Sequence, residues 1–148
     1  MAVGLEQFAK FPLKQTELPK ELIPTQWVED ALQNVYDFAY LGDSPLANLE
    51  QIRASLAEGP AATHLDRGKA VYHVISCAVE KLCPGGSLPR GSVPREWFPY
   101  VILHDAYFEG LPNRDILLKL YISEGTFHRT RRSALRAVAR VLSEQEAC

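Results

Sequence analysis

Residues 83–94, CPGGSLPRGSVP, place three prolines, three glycines and two serines in twelve positions. Proline removes a backbone donor and glycine weakens any regular element, so neither a helix nor a strand runs through this stretch. The chain must organise on either side of it. On both sides the apolar residues recur three and four positions apart, the period of an amphipathic helix. The expectation is an all-α protein: an N-terminal lobe of about three helices at 1–82, a linker at 83–94, and a C-terminal helical lobe at 95–148. The LPRGS sequence within the linker is an expected cleavage site for trypsin-like proteases.

Upstream, prolines at 12, 19 and 24 predict a short helical turn and an extended arm. A first helix is expected from Thr25 as cap, with Val28, Ala31, Leu32, Val35, Phe38 and Ala39 on its inner face. Gly42 suits its end, Ser44 a new cap and Pro45 the first position of the next helix. Leu46, Leu49, Ile52 and Leu56 form that second stripe. A third helix follows EGPAAT, with Val71, Val74, Ile75, Ala78, Val79 and Leu82 inward. Beyond the linker, a fourth helix is predicted over Arg95–Phe108 and is broken by Glu109–Pro112. A short fifth helix, capped by Asn113, ends near Leu120. Ser123 caps a last helix reaching about Leu142.

Charge is concentrated in this last part. The chain has a formal net charge of −2, yet residues 111–142 carry seven bases (Arg114, Lys119, Arg129, Arg131, Arg132, Arg136, Arg140) against two acids (Asp115, Glu124). A basic tract in a slightly acidic chain points to a local anionic partner. On a helical wheel Arg129, Arg132, Arg136 and Arg140 fall within roughly 80° of one another, while Phe127, Ala134, Leu135, Val138, Val141 and Leu142 take the opposite third. A solvated arginine face would look similar. It would, however, normally interleave acids four residues before bases, and none occurs between Glu124 and Glu144. Two helices joined by about three residues, the second Ser-capped and arginine-rich, form a helix-turn-helix pattern.

The stretch YFEGLPNRDILLKLYISEGTFHRTRRSALRAVARVL resembles the helix-turn-helix of bacterial sigma factor region 4, and still more the ArpU-type phage late-gene regulators. The resemblance covers about 40 C-terminal residues. It implies a recognition helix starting at Ser123, with Glu124, Gly125, His128 and Arg129 facing bases and Thr126 and Arg132 near the DNA backbone. Phe127 takes the position that holds the helix to its partner. Arg129 suits a guanine edge and His128 a base or phosphate. Arg132, Arg136 and Arg140 suit phosphates, as do the N-terminal amides of Ser123 through Thr126. Two departures stand out: Gly125 leaves a usual reading position without a side chain, and no sigma region 2 accompanies the motif.

The implied protein is a DNA-binding transcriptional regulator. A single such motif makes too little base contact for tight specific binding, so a homodimer, a higher oligomer or a protein partner such as RNA polymerase is expected. A protein-interaction adaptor whose basic helix docks an acidic partner, and a small phage DNA-packaging subunit, remain alternatives. No GxxxxGK[ST], GxSxG or HExxH motif occurs, so a non-enzymatic protein is expected, with no cofactor. His104, Asp105 and Glu109 are read as surface residues rather than an acid/base set. Trp27, Trp97, Tyr100 and Tyr107 are read as core.

Cys77, Cys83 and Cys148 are expected to be free thiols in a reducing compartment; the sharper alternative, a metal site joining His73, Cys77 and Cys83, lacks a CxxC pair. No apolar run approaches the roughly 20 residues needed to span a bilayer. The N-terminal MAVGLEQFAK lacks the basic start of a secretory signal, and the expected location is cytoplasmic.

Overall fold

The computed structural model describes residues 23–56, 63–88 and 91–144. The expected N-terminal arm falls outside these residues as far as residue 22, as do part of EGPAAT and the Pro89–Arg90 centre of LPRGS. Every regular element among the described residues is helical: α1 (Thr25–Gln33), α2 (Phe38–Gly42), a 3-10 turn (Pro45–Asn48), α3 (Glu50–Leu56), α4 (His64–Glu80), a 3-10 turn (Arg95–Trp97), α5 (Phe98–Leu103), a π-helical turn (His104–Phe108), α6 (Asn113–Leu120) and α7 (Glu124–Ser143). No helix among the described residues is long and apolar enough to cross a membrane.

The first predicted helix is two. Asn34 leaves the helical region, its Nδ2 donating back to the Asp30 carbonyl at 2.9 Å. Asp37 then caps α2, accepting the Tyr40 N–H at 3.1 Å. Short polar side chains that bond the nearby backbone compete with a continuing helix, and here they win. The cap of α1 is Pro24, so Thr25 lies inside the helix. Likewise Pro112 occupies the cap of α6 and Asn113 its first turn. Ser44 caps as predicted, but a 3-10 turn precedes α3. Thr63 and Asp66 form a reciprocal capping box at the start of α4 (3.0 and 3.1 Å).

Gly42 and Gly68 bring α2 and α4 together. A Cβ on Gly68 would collide with the Phe38 carbonyl, and one on Gly42 with that of His64. Backbones this close admit only glycine.

Two apolar clusters organise the chain. The smaller gathers Trp97, Phe98, Val101, Ile102, Ile116, Leu120 and Phe127, uniting α5, α6 and the first turn of α7. The larger takes Val28, Leu32, Leu41, Ile52, Val71 and Ile75 from before residue 83 and Leu103, Leu135, Val138 and Leu142 from after residue 94. Segment 83–94 thus separates helices along the chain, while both sides contribute to the larger core. Hydrogen bonds across the same divide fasten the end of α7. Ile23 N–H donates to Ser143 Oγ at 2.9 Å, and Gln51 Nε2 donates to the Leu142 carbonyl at 3.0 Å.

Candidate nucleic-acid interface

Between α6 and α7 the chain turns within Tyr121, Ile122 and Ser123. Tyr121 is left-handed (φ 56°, ψ 49°), and Ile122 N–H returns to the Leu117 carbonyl at 3.2 Å. This ends α6 as a left-handed C-terminal cap does. Ser123 then extends (φ −81°, ψ 164°) and caps α7. Phe127 is fully buried and pins the first turn of α7 to the smaller core.

The first turn is bonded to itself. Ser123 Oγ accepts the Thr126 N–H at 3.1 Å and donates to Thr126 Oγ1 at 3.1 Å. Thr126 Oγ1 also accepts from Arg129 Nη2 at 3.2 Å. His128 Nε2 lies 4.0 Å from Glu124 Oε2, with its ring edge-on to Phe127 at 5.2 Å.

The structure places the predicted site residues in the first turns of α7 and along its arginine stripe. Ser123, Glu124, Arg129, Arg132, Arg136 and Arg140 are exposed, and Thr126 and His128 are half-buried. Opposite the arginines Phe127, Ala134, Leu135, Val138, Ala139 and Leu142 are buried. The inner face is the one expected from the wheel, except that Ala139 is buried while Val141 is half-buried. Arg129, Arg132, Arg136 and Arg140 pair with no carboxylate among the described residues.

The other bases of the tract divide differently. Arg131 turns inward, its Nη1 donating to Glu29 Oε2 at 2.8 Å and to the Tyr107 hydroxyl at 3.0 Å. Burial opposes the Arg131 charge, but those two bonds hold its pKa above the ordinary value. Burial likewise raises the Tyr107 phenol, and Arg131 partly offsets this. Lys119 Nζ lies 2.8 Å from Asp105 Oδ2, tying α6 to the π-helical turn. Arg114 is exposed, with no ion pair among the described residues. Helical spacing could separate Arg131 from Arg132 but could not name partners that lie far off in sequence.

Asp105 is not the surface residue expected, being 6% exposed. His104 stacks between Tyr100 and Phe108 (5.4 and 5.9 Å between ring centres). Its Nδ1 lies 3.5 Å from Asp105 and its Nε2 3.7 Å from Glu109. These groups edge a cleft of about 520 Å³ that Trp97, Tyr100, Leu111 and Lys119 also line. Burial, then Glu80, pushes the Tyr100 hydroxyl up to about 12. The Asp105–Lys119 ion pair links the π-helical turn to α6 at the edge of this cleft.

Trp97 is core as expected, whereas Trp27 is 38% exposed. Cys83 is a free thiol and Cys77 is not free; Cys148 lies outside the described residues. His73 Nε2 and Cys77 Sγ stand 3.9 Å apart, and no group of three or more His, Cys, Asp or Glu gathers to hold a metal among the described residues. No family model, curated protein or solved structure matches this chain.

Proposed function

We propose that the chain binds duplex DNA through α7, with α6, the turn and α7 acting as a helix-turn-helix of the sigma region 4 and ArpU-like type. The observation that carries this reading is the stripe of exposed arginines at 129, 132, 136 and 140, without an ion pair among the described residues and opposite a buried face. Arginines that pair with no acid among the described residues are available to phosphates, whose neutralisation releases counterions and drives binding. Gly125 and the Ser123 cap add little bulk of their own at the start of α7, where it would enter the major groove.

Ser123, Glu124, Thr126, His128 and Arg129 then lie where α7 meets the groove. Arg132, Arg136 and Arg140 follow the backbone and set register. The helices before segment 83–94 supply the scaffold that holds α7 and a surface for a second copy or for RNA polymerase. The resulting role is transcriptional regulation.

A gel shift with random-sequence duplex at two salt concentrations tests the reading. Binding is expected to weaken as salt rises and to fall sharply in the Arg129→Ala/Arg132→Ala double variant. Unchanged affinity in that variant would assign α7 another role.

A further inference from the structure

We infer that Gly125 is a positioning residue for the Arg129 guanidinium, leaving the room in which it folds back over the first turn of α7 onto Thr126; the inference rests on the reading of α7 as the DNA-contacting helix. Glycine is a poor helix former, so its place in the first turn of a 20-residue helix needs a reason. Backbone conformation supplies none, because Gly125 is not among the residues with positive φ. Packing against another element supplies none either. Among the described residues, a Cβ built on Gly125 meets, within 4 Å, only Arg129 Nη1, at 3.3 Å. The space that the missing side chain leaves is the seat of the guanidinium.

Thr126 fixes the orientation. Its Oγ1 accepts from both Ser123 and Arg129, which fills the lone pairs of a hydroxyl. The Thr126 O–H remains as a donor beside the guanidinium N–H groups that Thr126 does not engage. Side chains on a helix lean towards its N-terminus, so the fork is carried to the end of α7 that would enter the groove. Held there, it suits a pair of acceptors such as a guanine edge. Gly125, which removes one reading side chain, thereby places another.

The test compares Gly125→Ala and Gly125→Val, each with Arg129 intact and with Arg129→Ala. The first readout needs no DNA: the NMR signal and order of the Arg129 Nε–H group. The second is affinity for duplexes selected from a randomised library by the wild-type protein, alongside random duplex. The account expects the Arg129 signal to shift and lose order in both glycine variants, more so for valine. Selected-duplex affinity should drop about three- to tenfold, a fraction of what a full bidentate pair carries. Random-duplex affinity should change less, and neither glycine variant should weaken binding further once Arg129 is alanine. The thermal midpoint of Gly125→Ala should hold or rise.

An unmoved Arg129 signal in Gly125→Val would overturn the positioning role, as would equal affinity losses with and without Arg129. If Arg129→Ala leaves DNA affinity intact while the Arg129 signal moves as expected, the DNA reading of Arg129 fails and the seat itself stands.

Discussion

Along α7, the first two turns and the last three are held in different ways. From Ala134 to Leu142 the inner face is buried in a core shared with α1 and α4. From Ser123 to Arg132, Phe127 alone is fully buried, and the exposed side chains bond chiefly to one another. Arg131 and Arg132, neighbours in sequence, mark the divide around the helix. One is bound to Glu29 and Tyr107, and the other is exposed without an ion pair among the described residues. One helix thus carries both an anchor and a presented surface, and substitutions on the two should separate stability from binding.

The largest effect is expected at Phe127, which lies in the first turn but belongs to the anchor. Phe127→Ala should cost about 3–5 kcal/mol, read as a lower denaturation midpoint. Binding should be lost with the fold. Leu135→Ala, far from the turn, should cost about 2–5 kcal/mol in the same assay. Arg129→Ala should do the opposite, leaving stability within about 0.5 kcal/mol. It should weaken binding to a preferred duplex by about 1–3 kcal/mol and relax sequence preference. A large stability loss at Arg129 would erase the distinction between the two regions.

The distinction sharpens at Arg131. Arg131→Ala removes the bonds to Glu29 and Tyr107 and should lower stability by about 1–2 kcal/mol. DNA affinity of the folded protein should stay near wild type, and Arg132→Ala should reverse the pattern. The smallest expected effect lies outside α7, at the capping box of α4. Bonds from the Thr63 backbone and side chain hold the Asp66 carboxyl below its ordinary 3.8. A depressed carboxyl adds stability that is present above the unfolded value and lost as pH falls through the folded one. The thermal midpoints of wild type and Asp66→Asn should therefore differ slightly at neutral pH and converge as pH drops below 3.8.

Much of α7 was legible in the sequence because its signals are local. The Ser123 cap, the 3.6-residue period and the absence of acids are properties of one segment, and they recover both faces of the helix. The turn at Tyr121–Ser123 followed from its shortness. What escaped the sequence depends on partners distant along the chain. Lys119 belongs to the basic tract by sequence, but Asp105 engages it. Asp105 itself sits on a helical stretch whose pattern reads as surface, yet it is buried. The break at Asn34–Asp37 escaped for another reason, since its polar residues also fit the outer face of one continuing helix. Nor could periodicity tell that helices on both sides of segment 83–94 contribute to the larger core, because an amphipathic stripe does not name the surface it packs against.

The most direct measurement is the salt dependence of binding to random-sequence duplex for wild type and for the Arg132→Ala/Arg136→Ala/Arg140→Ala variant. If these three arginines neutralise phosphates, the slope of log affinity against log salt should become shallower by about 2.7 while the thermal midpoint stays near wild type. An unchanged slope in a folded variant would contradict the claim that this face of α7 meets DNA.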